Sequence, residues 1–243
     1  MNAYLKAKLI LFSKILSKKS YVISDKSIKQ FSILKKISKN RNLRLIDIKN
    51  KFDHIQNISN LFPGTFQKKN LSMAILAAQL CGLKTVKISS TLKKLKNIDG
   101  RLELVKKFPN NIRVFIDYAH TPDALNNVIN SIIKSYGKNI SLVFGCGGER
   151  DLKKRPLMAK IAKLYCRKIY VTDDNPRKEN PSTIRKQIVS FLKDSIYFNI
   201  GNRSQAIKKA IHNAEPNEII LIAGKGHENY QDYGNRVISI SDK

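Results

Sequence analysis

The sequence predicts an α/β protein: a partial α/β layer over residues 1–97, then a Rossmann-like, doubly wound domain over residues 98–243. Two observations predict the second part. Four short apolar runs, "RVFID" (113–117), "SLVF" (141–144), "KIYV" (168–171) and "EIILIA" (218–223), alternate with longer amphipathic runs. Strands that are continuously apolar and separated by helices of about 10–15 residues mean βαβ units and a parallel sheet. In addition, polar residues gather directly after those runs, and open parallel sheets bind ligands beyond the carboxyl ends of their strands.

In chain order, residues 3–17 carry their apolar side chains on one helical face. Lys6, Lys8 and Lys14 interrupt that run and no small-residue cleavage site follows, so it does not read as a secretory signal. A short strand, "YVIS" (21–24), a helix, "SIKQFSILKKIS" (27–38), and a strand, "LRLIDI" (43–48), come next. An irregular stretch then leads to "FPGTFQKKN" (62–70), which reads as a turn and helix entry, and to a helix over 70–80. After residue 100 the plan changes. The first apolar run feeds a helix with Leu125, Val128, Ile129, Ile132 and Ile133 inward and Thr121 at its N-cap. "SLVFGCGGERDLKKRPLMAKIAKLY" and "KIYVTDDNPRKENPSTIRKQIVSFL" repeat the unit, the latter with Ser182 as N-cap, and "SIYFNIGNRSQAIKKAIHNA" repeats it more loosely. The final apolar run ends in a glycine loop, "GKGHE" (224–228).

The formal net charge is +28, which taken alone points to nucleic acid or an acidic membrane. The basic residues are 35 Lys and 11 Arg, spread along a chain that is also rich in Ile and Asn, the mark of AT-rich codon usage. With no Arg-rich arm and no aromatic–basic interleaving, specific nucleic-acid binding is not expected. No stretch approaches the roughly 20 apolar residues of a membrane span. Cys81, Cys146 and Cys166 have no metal-type spacing and read as reduced thiols of a cytoplasmic protein.

Four loops carry the chemistry: "DYAHTPD" (117–123), "GCGGERD" (145–151), "DDNPRKE" (173–179) and "GKGHE". Strand-to-helix loops are polar anyway, which accounts for one or two of these but not for all four. Arg and Asn at one sheet edge suit a carboxylate, through a guanidinium fork and amide donors. Glu228 suits an ammonium. The inferred ligand carries both charges, as an amino acid does.

These loops resemble the C-terminal domain of the Mur ligases. The resemblance rests on "FIDYAHTPDAL", "VFGCGGERDLKKRPLMA", "VTDDNPRKENP" and "AGKGHENYQ". In the first part, "YLKAKLILF", "GTFQKKNLSMAILAA" and "IDGRLELV" are similar to the second half of that family's central ATPase domain and its hinge. The resemblance implies an ATP- and Mg²⁺-dependent amide-bond-forming ligase of peptidoglycan precursor synthesis. Its substrates would be UDP-MurNAc-L-Ala-D-Glu and meso-2,6-diaminopimelate. ATP would phosphorylate the D-Glu carboxylate, and the amino-acid amine would attack the acyl phosphate.

Residue by residue, the resemblance makes Lys8 the carbamylated lysine that holds Mg²⁺ and phosphate oxygens, with His120 the second catalytic position. It makes Asn70 an adenine contact, Arg101 a hinge arginine near ATP, and Asp117 and His120 contacts to ribose and phosphate. Arg150, Asp174, Asn175, Pro176, Arg177, Gly224 and Glu228 match the positions that bind diaminopimelate, with Arg177 and Asn175 on the far carboxylate. The chain departs from the family at Gln67, where an Asn is usual, and holds no "GxxGK[ST]" phosphate loop. Nothing matches the family's UDP-sugar domain, the first half of its ATPase domain, or its closing helix after "SISDK". The expectation is therefore a fragment that does not turn over alone, with the missing half as a candidate partner in trans. The alternative class is a non-catalytic remnant or basic binding module.

Overall fold

The structure, a computed structural model, describes residues 3–48, 62 and 64–243. The chain forms two compact units, Met1–Lys96 and Asn97–Lys243. No described helix is long and apolar enough to cross a membrane.

In the first unit, helix α1 (Ala3–Ile10) passes into a π-helical turn, Leu11–Ile15, closed by the Leu16 N–H on the Leu11 carbonyl at 3.0 Å. The single helix expected over 3–17 is thus underwound at its end, and its described residues bury just Leu9. Strands β1 (Tyr21–Ser24) and β2 (Arg44–Asp47) pair in parallel around helix α2 (Phe31–Asn40). The expected irregular stretch falls on residues 49–61, outside the described residues. Helix α3 (Thr65–Leu80) begins earlier than Asn70, because Gln67 Oε1 accepts the Gly64 N–H at 2.9 Å and satisfies an otherwise orphaned helix-end donor. Helix α4 (Thr85–Leu92) was not expected; its β-branched residues disfavour a helix. Between them, α3 and α4 leave an apolar groove of about 210 Å³ lined by Leu71, Ile75, Leu83, Ile88, Leu92 and Leu95.

The second unit runs β3 (Glu103–Lys107), β4 (Arg113–Asp117), α5 (Pro122–Tyr136), β5 (Ile140–Phe144), α6 (Lys154–Tyr165), β6 (Lys168–Val171), α7 (Pro181–Val189), β7 (Ile196–Asn199), α8 (Arg203–His212), β8 (Ile219–Ala223) and a hairpin, β9 (Tyr230–Asp232) with β10 (Val237–Ser239). Its six-stranded sheet has the order β3-β4-β8-β5-β6-β7, parallel except for β3 at one edge. Every residue of β5 and β8 is buried, as continuous apolar strands covered on both faces must be. Alternate residues divide the core. Val114, Ile116, Val143, Tyr170, Ile220 and Ile222 pack with Ala206 and Ala210 of α8 on one face. Phe115 points the other way, its ring 5.2 Å from that of Tyr136 on α5. Helices on both faces make the sheet doubly wound.

This order matters for the site. Strands β4, β8, β5 and β6 are consecutive in space, although β8 comes last of them in the chain. The loops leaving their carboxyl ends are the four that carry the polar motifs, so the topology alone gathers them at one edge. The edge strand β3 and the hairpin β9–β10 were not anticipated. Thr121 caps α5 as expected, accepting the Ala124 N–H at 3.3 Å. For α7 the cap is Asn180 rather than Ser182: its Oδ1 accepts the Ser182 and Thr183 N–H groups at 2.9 and 3.3 Å, and Pro181 sits at the first helical position.

Candidate functional site

The loop after β6 is held from three sides. Asn175 is buried, and its Oδ1 accepts from Lys225 Nζ at 3.2 Å and from the Asp232 N–H at 3.0 Å. Both are pure donors, so the amide orientation is fixed and Nδ2 donates to Glu228 Oε2 at 3.1 Å. The Asp174 carboxylate lies over Gly224, whose φ is +116°; a Cβ there would come within 2.8 Å of Asp174 Oδ2. Gly148 serves the neighbouring contact, since a Cβ would lie 1.9 Å from the Pro176 carbonyl oxygen. Close backbone approach there admits no side chain.

Arg177 takes the left-handed region at φ +52°, costly for a residue with a Cβ. The conformation is fixed by its N–H on the Asp232 carbonyl at 2.9 Å and by Nη1 on the carbonyls of Gly148 and Asn175 at 2.9 and 3.3 Å. The guanidinium is thus pinned at the edge of the loop with Arg150 exposed on the next loop. Asp173 pairs with Arg185 and accepts from the Tyr233 hydroxyl at 3.0 Å.

Glu228 accepts from Lys225 at 3.0 Å, from Asn175, and from the Tyr118 hydroxyl at 3.3 Å. Burial pushes its carboxyl up, but the Lys225 ammonium and these hydrogen bonds outweigh that and hold it below the usual carboxylate range. Tyr118 is the centre of a second group. The Arg101 guanidinium lies 4.6 Å from its ring centroid, and the His120 and His227 rings lie at 4.7 and 5.5 Å. Asp117, at the end of β4, is buried and accepts the Leu102 N–H at 2.7 Å. Burial pushes its carboxyl up to about 6 against the backbone donors of Leu102 and Ala119 and the charge of Arg101.

The second unit therefore brings Asp174, Asn175, Pro176, Arg177, Gly224 and Glu228 together, with Arg101, Asp117 and His120 around Tyr118. Lys8 and Asn70 belong to the first unit. Both are exposed, Lys8 with its Nζ 4.5 Å from the Tyr4 ring centroid. Among the described residues, no group of three His, Cys, Asp or Glu side chains could hold a metal ion.

Three cations buried to 1% exposure escaped the sequence reading. Lys225 is 1% exposed. Arg155 of α6 is as deeply buried and ties the Gly147 carbonyl, Glu179 and Gln187 into one network, joining the loops after β5 and β6. Arg203 of α8 is clasped by Asp242 through Nε and Nη2 at 2.6 and 2.7 Å and donates to the Ala223 carbonyl at 3.1 Å. The one available signal was a charged residue within or just after an apolar run, as Lys225 is.

Comparison with known proteins gives these loops a context. The description "Mur ligase, glutamate ligase domain" matches residues 100–226. A UDP-N-acetylmuramoyl-L-alanyl-D-glutamate–2,6-diaminopimelate ligase of Rickettsia typhi is 36% identical over 98% of this chain and 52% of its own length. The protein of the same description from Haemophilus influenzae is 42% identical over 74% of this chain and 37% of its own. A solved ligase of that description superposes with a TM-score of 0.57 at 26% identity, covering 99% of this chain and 54% of the other. A bifunctional folylpolyglutamate synthase/dihydrofolate synthase from Yersinia pestis, solved with AMPPNP and a Mn ion, shares the fold with a TM-score of 0.63 at 13% identity. The chain spans about half the length of the Rickettsia relatives it matches.

Proposed function

The chain belongs to the Mur ligase family, and on that premise we propose that it is the amino-acid-binding part of a ligase joining meso-2,6-diaminopimelate to UDP-N-acetylmuramoyl-L-alanyl-D-glutamate. The observation that carries this reading is the Asn175–Glu228 pair beside Arg177: a fixed amide donor and a guanidinium next to a carboxylate. A diaminopimelate ammonium would meet Glu228. The carboxylate at the far end of the side chain would meet Arg177, Arg150 and the second N–H of Asn175. Asp174 and Pro176 belong to the loop, and Gly224, just after β8, leaves room for the Asp174 carboxylate. Held so, the reacting amine attacks the activated D-Glu carbonyl, forms the amide bond, and phosphate leaves while the amine gives up a proton.

ATP, when bound, supplies the phosphoryl group that activates that carboxylate. Within the second unit, Arg101, Asp117 and His120, clustered on Tyr118, are the residues that would meet it; for Asn70, in the first unit, an adenine contact rests on the family resemblance alone. The described residues do not make a metal site, and Lys8 stands apart from any acid cluster, so this chain's described residues alone do not fit Mg²⁺. Residues 1–97 correspond on this reading to the second half of the family's central domain and 98–243 to its C-terminal domain.

The test is binding of the two candidate amino acids to the full chain by saturation-transfer NMR. Lysine lacks the second carboxylate of diaminopimelate, and a charge-assisted contact is worth roughly 1.5–3 kcal/mol. Diaminopimelate should therefore be preferred about tenfold to a hundredfold. Arg177→Ala should abolish the preference, while Lys178→Ala, at an exposed neighbour, should leave it intact. Equal binding of lysine and diaminopimelate by the unmutated chain refutes the assignment.

A further inference from the structure

Lys225 lies under the site and has no role in the reading above, on which the following rests. Its side chain is 1% exposed, so its ammonium is unavailable to a ligand. Its Nζ joins the two groups the ligand would touch: Asn175 Oδ1 at 3.2 Å and Glu228 Oε2 at 3.0 Å, with the Tyr230 ring centroid 5.2 Å away. A buried ammonium is expensive unless paired and hydrogen-bonded, and here its partners come from two different loops. We propose that Lys225 is a positioning residue: it locks the Asn175 amide with its second N–H toward the ligand and supplies the buried countercharge that keeps Glu228 a carboxylate able to take the ligand's ammonium.

The other charged groups around Glu228 cannot replace it. Tyr118, from the loop after β4, offers a neutral hydroxyl. Arg203, from α8, acts on Glu228 through space but is itself clasped by Asp242. Asp174, from the loop after β6, is an acid and cannot serve as a countercharge. Lys225 is the cation in hydrogen-bonding contact with Glu228. In its absence, burial acts on Glu228 with less opposition, and the carboxyl takes up a proton at higher pH. A protonated Glu228 offers no charge to an ammonium.

The consequence is a pH profile that a merely structural residue would not produce. Diaminopimelate binding to the unmutated chain should be flat from pH 5.5 to 8 on about a twofold scale. In Lys225→Met, binding should be weaker at pH 8 by a few-fold and should weaken further, by about twofold or more, as pH falls to 5.5, because Glu228 then gains its proton at higher pH. Loss by the same factor at every pH overturns the proposal. Should Lys225→Met not fold, the ¹³C titration of the Glu228 carboxyl in the unmutated chain decides: a midpoint below the ordinary glutamate value of about 4.3 supports it, and one at or above that overturns it. Failure of the underlying reading shows separately, as equal binding of lysine and diaminopimelate whatever Glu228 does.

Discussion

The two units meet the same compositional bias in different ways. Residues 1–96 hold 21 Lys+Arg against 3 Asp+Glu, while residues 97–243 hold 25 against 15. The first unit has a two-stranded parallel sheet and, among its described residues, one ion pair, Lys69 with Asp25. The second has a six-stranded sheet and buries Arg155, Lys168, Arg203 and Lys225 with acid partners. A two-stranded parallel pair has little capacity to exclude water from ion pairs, so lysines there remain solvated. A sheet covered on both faces can enclose a cation, provided that an acid goes with it. The difference teaches where basic residues carry structural information: those in the second unit that are paired and buried are the ones that shape the loops.

The sharpest way to break this contrast is Asp242→Ala. Asp242 and Arg203 are 6% and 1% exposed. Removing one member of a buried pair leaves an uncompensated charge and costs about 3–5 kcal/mol. Denaturant unfolding should show that loss in the second unit alone. A matching loss in amide protection of β1 and β2 would mean that the two units share one cooperative transition.

The acids offer a second division, of opposite sign. Burial raises Asp117 to about 6 from 3.8, so its folded form holds a proton that the unfolded chain has released. Its contribution is fully present below pH 3.8 and is lost as pH rises through about 6, on the order of 3 kcal/mol. Asp25 in the first unit runs the other way. Burial raises it, but Lys69 and Ser27 prevail and hold it low, so its contribution is present at neutral pH and lost on acidification. Asp117→Asn should therefore stabilise the second unit at pH 7 relative to pH 4, and Asp25→Asn should destabilise the first at pH 7. Urea melts at the two pH values measure both, and equal pH slopes for Asp117→Asn and the unmutated chain would exclude the first.

The sequence was legible where burial was two-sided. The runs 113–117, 141–144, 168–171 and 218–223 are apolar because both faces are covered, and each is a strand. Strand β3, "ELVKK", is half polar because it is an edge, and β9 and β10 span three residues each, too short for periodicity. Helix α4 hides behind Thr85, Val86, Ile88 and Thr91, which favour strands. The site divides along the same line. Residue types after strand ends announced the four loops that the strand order gathers at one edge. The buried cations did not announce themselves, because Lys225 looks like any other of 35 lysines until Asn175 and Glu228 are placed against it.

Salt gives the smallest effect and the most direct test of the contrast. The first unit's excess of basic residues repels itself, and exposed charges are screened over about 8–10 Å at physiological ionic strength. The second unit's buried pairs are shielded from ions, so screening has less to act on. Raising NaCl from 20 to 300 mM should increase the protection of the β1 and β2 amides by about 0.5–1 kcal/mol, by analogy with single exposed charge interactions. Amides of β5 and β8, every one buried, should change by less than half as much. Hydrogen exchange followed residue by residue reads both strands in one sample. Equal salt gains in the two sheets would show that the charge excess of residues 1–96 is already neutralised within the fold, and that composition overstates the difference between the units.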